Sequence, residues 1–131
     1  ELRMCVKNRE LQFQTGQSQT VKNHELQGNM FYRFTDTQKY SDLQFYEVSP
    51  PKTNPSCKTW LKEKHPGVND GVVSRQLCVR DHGNDCHSTL DIYVRRCTHY
   101  YVYNFKDLRD LSRLKPCMKS GKQKIFKFQI S

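Results

Sequence analysis

The sequence predicts a small, mainly β, antiparallel fold that is stabilised by disulfides and holds little helix. Three observations carry this expectation. Apolar and polar residues alternate with a period of two in several short runs, as in strands buried on one face. Clusters of Gly, Pro, Asn and Asp separate those runs, which suits turns. Six cysteines, an even number, are spread along the 131 residues.

The elements follow in chain order. Leu11 and Phe13 alternate with polar residues, so a short strand precedes a turn at Gly16. Gly28-Asn29 signals a turn, and the MFYRF that follows suits a strand. Its Phe31 and Arg33 lie on one face, with Met30, Tyr32 and Phe34 on the other. Gln44 to Val48 is a further strand candidate, ended by Ser49-Pro50-Pro51. After Trp60, Asp70-Gly71 turns the chain into DGVVSRQLCV, a β-branched run. DHGND is a second turn. In TLDIYVRRC, Leu90, Ile92 and Val94 alternate with Asp91, Tyr93 and Arg95. CTHYYVYNF continues the sheet. KDLRDLSRL spaces Leu108, Leu111 and Leu114 for one or two helical turns stopped by Pro116, and QKIFKFQI alternates again. The length suits one domain over residues 1–131, with a basic C-terminal tail at about 118–131.

Only 35% of residues are apolar and the mean hydropathy is −0.88, so the core is lean. The cysteines offer a further source of stability, about 2 to 4 kcal/mol for each disulfide. Disulfides persist in oxidising compartments, which points to a secreted or extracellular protein. No CxxC or HxxxH spacing occurs to suit structural zinc. No apolar run reaches the length of a membrane span. The chain opens at Glu1 rather than Met, as a mature form or an excised segment would.

The formal net charge is +9, and residues 106–131 carry eight Lys/Arg against Asp107 and Asp110. A basic end of this kind favours anionic partners. Candidate contact residues are therefore Lys119, Lys122, Lys124 and Lys127, with Arg95 and Arg96 as a second basic patch. A solvated basic surface explains the same charges equally well.

Catalytic readings fare worse. Asp81-His82-Gly83-Asn84-Asp85-Cys86-His87 is the one dense set of metal-ligand types, but it lacks the closing glutamate of a calcium loop. Its Asp, Gly and Asn are ordinary turn formers. A Cys–His nucleophile needs a free thiolate, which an even extracellular cysteine set does not offer. Ser74 lacks a GxSxG elbow. No enzyme activity, metal or cofactor is expected. Nucleic acid is a poor fit, because the tyrosines lie in a strand-like run rather than an RNA-binding motif.

WLKEKHPGVNDGVVSRQLC, CHSTLDIYVRRC and YYVYNF together resemble the uromodulin-type cysteine-rich domain family, over about residues 5 to 117. The family pattern holds more cysteines. Asp85 stands at the first position of its C-C pair, and cysteines are absent near Lys22, near Tyr46 and after Asn104-Phe105. By family pairing these losses remove whole bridges and strand no thiol. From spacing alone, six cysteines leave fifteen connectivities open. The resemblance implies Cys5–Cys97, Cys57–Cys117 and Cys78–Cys86.

In relatives, the Y-Y-V-Y-N-L-T stretch carries an N-glycan that bacterial fimbrial lectins grip. Here Asn104-Phe105-Lys106 is no acceptor, and Asn54-Pro55-Ser56 is blocked by its proline. The function implied is a secreted, non-enzymatic recognition or adhesion module whose partner is an extracellular, anionic protein or glycan. A secreted effector or toxin, and a matrix or coat structural protein, are the alternatives.

Overall fold

A computed structural model describes residues 3–14, 21, 29–38, 40–52, 56–81, 83, 85–106 and 114–121. Among the described residues, one helical turn, α1 (Arg3–Val6), precedes eight strands: β1 (Arg9–Phe13), β2 (Phe31–Asp36), β3 (Asp42–Phe45), β4 (Thr59–Leu61), β5 (Val72–Val79), β6 (Ser88–Arg96), β7 (Tyr101–Phe105) and β8 (Met118–Ser120). The expected helical turns at KDLRDLSRL and the QKIFKFQI strand fall outside the described residues, except for Lys106 and for Leu114, which forms a bridge to Val21.

The strands form one sheet in the order β4-β5-β6-β7-β2-β3-β8. All neighbours on this path are antiparallel. β1 is the exception and runs parallel to β2, with Leu11 opposite Phe34. Parallel neighbours cannot be joined by a tight hairpin, and 17 residues separate β1 from β2. β2 organises the sheet. One of its edges carries β1; the other is shared by β7, opposite Phe31 and Tyr32, and β3, opposite Phe34 and Thr35.

The two ends of the path curl together into a near-closed barrel. Tyr46 N–H donates to the Cys117 carbonyl, Leu61 N–H to that of Tyr46, and Cys117 N–H to that of Thr59. Closure removes most of the free strand edge that would otherwise invite pairing with another chain.

Inward residues of each strand build the core. The Phe34 ring is its hub: Phe13, Phe45, Tyr103 and Phe105 approach edge-on at 5.4, 5.8, 5.8 and 6.4 Å between centroids. Such edge-to-face pairs add about 0.5–1.5 kcal/mol beyond area burial. A smaller cluster joins Trp60 to Cys57, Cys78 and Cys117, with Tyr46 beside it. There the buried Arg80 guanidinium donates through Nε and Nη2 to the Cys57 carbonyl, at 2.9 and 2.6 Å.

Three disulfides staple the frame. Cys78–Cys86 closes the β5–β6 hairpin, Cys57–Cys117 joins the approaches to β4 and β8, and Cys5–Cys97 ties α1 to the β6–β7 turn. The two long loops, of 92 and 60 residues, gain most in the chain-entropy account.

The strand expected over Gln44 to Val48 stops early, at Phe45. Tyr46 and Glu47 leave β3 to bridge β4, and Val48 then turns with φ +74° while donating its N–H to the Leu61 carbonyl. A β-branched residue pays a steric penalty in that region. Val48 is also 59% exposed, so little packing offsets the penalty. Val48→Asn is therefore expected to stabilise the fold by about 1 kcal/mol, seen as a higher urea midpoint at unchanged slope. A lower midpoint would show that the valine side chain contributes more than its backbone costs.

Candidate functional site

β6 ends on two consecutive arginines, which strand alternation sends to opposite faces. Arg95 lies on the outer face between its register partners Val72 and Val102, half-buried. Arg96 falls on the inner face, opposite Tyr101 at the mouth of the barrel. Its guanidinium stands 4.9 Å from the Tyr101 ring centroid and donates to the Tyr101 hydroxyl at 3.1 Å. The two arginines therefore do not share one face. Lys119 lies on β8 opposite Gln44, with its ammonium 5.3 Å from the Tyr46 ring centroid. Lys122, Lys124 and Lys127 lie outside the described residues.

Tyr101 leads to a polar cluster that sequence reasoning did not single out. Its other neighbour is the His65 ring, 4.2 Å away between centroids. The His65 side chain is only 2% exposed. Its Nδ1 meets Glu47 Oε1 at 2.5 Å and its Nε2 meets the Tyr103 hydroxyl at 2.9 Å. The backbone N–H of His65 donates to the same Glu47 oxygen at 2.9 Å. Phe45 N–H donates to the Tyr103 oxygen at 3.3 Å.

The direction of each bond follows from chemistry. Burial and the two bonds from His65 act oppositely on Glu47; the bonds prevail and hold its carboxyl below the ordinary 4.5. An ionised carboxylate only accepts, so His65 Nδ1 carries the proton. Burial holds the imidazole below its ordinary 6.5 despite Glu47, so the ring is neutral and Nε2 accepts. Burial pushes the Tyr103 hydroxyl well above 10.0, so it keeps its proton and donates to Nε2. The chain runs from Phe45 N–H through Tyr103 and His65 to Glu47.

A carboxylate, an imidazole and a hydroxyl in line are also the parts of a nucleophile relay. Here the hydroxyl is fully buried and both its roles are filled by protein groups. The arrangement works as a brace that joins β3, β7 and the loop after β4. In sequence the only signals were the HP of WLKEKHPG and the spacing of the tyrosines in YYVYN.

Elsewhere, no group of three or more His, Cys, Asp or Glu among the described residues is placed to hold a metal. In the stretch Asp81 to His87, Gly83 has φ +73° and Cys86 is bonded to Cys78; His82 and Asn84 lie outside the described residues. No helix among the described residues is long and apolar enough to cross a membrane.

The brace makes stability pH-dependent. The folded pKa of His65 is depressed, so its contribution is present above 6.5 and is lost as pH falls below it; Glu47 adds a second loss below 4.5. Lys119 and Arg75, the cations that face His65, push its pKa the same way as burial. His65→Gln is expected to cost about 2 kcal/mol at pH 7.5, and less at pH 5.5, in urea unfolding. Equal costs at both pH values would mean that the imidazole does not titrate with folding.

The folded pattern has known counterparts. The model of the uromodulin-like domain family matches residues 32–118. Mouse uromodulin is 30% identical over 77 residues, which is 56% of this chain and 12% of that protein. Rat uromodulin is 30% identical over 80 residues, 59% of this chain and again 12% of the relative. The matched region thus spans about an eighth of those relatives, and the three disulfides of the fold are consistent with an extracellular location. With two-thirds of its length inside the family match, and with the HP and YYVYN motifs joined through His65 and Tyr103, the chain belongs to the uromodulin-like domain family.

Proposed function

We propose that this domain is a secreted, non-enzymatic recognition module that binds an anionic extracellular protein or glycan. The observation that carries this reading is the way its cations are held. Lys106 stands 3.8 Å from the Tyr93 ring centroid, Arg96 4.9 Å from Tyr101 and Lys119 5.3 Å from Tyr46. Among the described residues, none of the three is paired with a carboxylate. A tyrosine face orients a cation without neutralising it, so the charge stays available to an incoming anion.

Lys119 is the described member of the lysine set that we assign to the partner, together with Lys122, Lys124 and Lys127. Arg95 and Arg96 are assigned to the same partner on separate faces. The net charge of +9 supports the reading, because steering of an anion scales with the summed field.

Heparin chromatography tests the proposal. The domain is expected to be retained at about 0.15 M salt. Replacing Lys119, Lys122, Lys124 and Lys127 together by alanine should move elution to markedly lower salt, since each lost contact reduces counterion release. Passage without retention, or elution unchanged by the four substitutions, would contradict the assignment.

A further inference from the structure

α1 is a single turn, yet it is firmly anchored. Cys5 is bonded to Cys97, and the Tyr100 hydroxyl donates to the Cys5 carbonyl. Asn8 Nδ2 closes the turn by donating to the carbonyls of Met4 and Cys5, at 3.0 and 3.2 Å. The anchored turn stands off from the start of β2 and leaves a groove of about 240 Å³. Met4, Met30 and Phe31 supply its apolar lining, and Asn29 also lines it. Arg3 and Lys7 complete it. They are four residues apart on one turn, so both reach the same side. Both are exposed, and no carboxylate lines the groove among the described residues.

An apolar trough with a cationic rim matches a ligand with an apolar tail and one negative head. The volume suits roughly eight groups the size of a water molecule. It falls below the ~300 Å³ at which drug-sized sites begin. Methionine side chains are unbranched and flexible, so they can adapt to the shape of an aliphatic chain. We propose that this groove binds a free medium-chain aliphatic monocarboxylate, with the tail over Met4, Met30 and Phe31 and the carboxylate between Arg3 and Lys7. The site involves none of the lysines assigned to the polyanion, so either reading stands or falls without the other.

The test is a titration of the disulfide-intact chain with sodium octanoate, followed by amide NMR. Saturable shifts are expected at Met4, Lys7, Met30 and Phe31. Affinity should rise about fourfold per methylene from butanoate to octanoate. It should fall about tenfold for octan-1-ol and for the Arg3→Ser, Lys7→Ser double variant, whose exposed positions leave folding intact. Absence of saturable shifts, which includes the case of a groove filled by residues 22–28, would overturn the proposal. Equal binding of octan-1-ol, or no dependence on chain length, would overturn it too.

Discussion

A phenol hydroxyl sealed in an apolar core must find partners or cost the fold several kcal/mol. The Tyr103 side chain is fully buried against Phe34 and Phe45. Its hydroxyl is satisfied only because β3 presents the Phe45 N–H and the loop after β4 presents His65. Those two elements come from opposite ends of the strand order, so satisfying one oxygen draws the ends of the sheet together. His65 in turn needs Glu47, and Glu47 can reach it only because the chain leaves β3 at Phe45 and turns at Val48. The strained turn, the brace and the barrel closure are thus parts of one constraint.

The same geometry organises the charge. Tyr101 follows the alternation of β7 and lies between His65 and Arg96, so one ring packs the brace on one side and orients a cation on the other. On the outer face Arg33 is held by Asp42 at 2.7 Å and by the Tyr100 ring at 3.7 Å, while Lys106 lies against the Tyr93 ring and donates to the Ser74 hydroxyl, and Lys119 lies against the Tyr46 ring. Tyrosine is therefore structural and electrostatic at once in this domain. That dual use allows a lean core to support a surplus of positive charge.

Where a strand is buried on one face, its pattern was legible. Leu90, Ile92 and Val94 point inward on β6, as their alternation with Asp91 and Tyr93 requires. Phe34 and Tyr32 on β2 behave likewise. Legibility failed where distant groups decide. QFYEV has the composition of a strand, but Glu47 is claimed by His65, eighteen residues away, and ends the strand early. The parallel pairing of β1 with β2 joins strands 17 residues apart in sequence, which no local pattern encodes. Arg95 and Arg96 read as a patch because they are adjacent, yet adjacency in a strand separates side chains. Spacing left the cysteine connectivity open; in the folded chain Cys5 meets Cys97, Cys57 meets Cys117 and Cys78 meets Cys86.

The central claim is that a neutral, Nδ1-protonated His65 links Glu47 to Tyr103. Nitrogen-15 NMR of the imidazole reads this directly. At pH 7 the account predicts a protonated Nδ1 coupled to the Glu47 carboxylate and an unprotonated Nε2 accepting from Tyr103, with Tyr103→Phe shifting the Nε2 resonance towards that of a free acceptor. A proton found on Nε2, or an imidazolium at that pH, would contradict it.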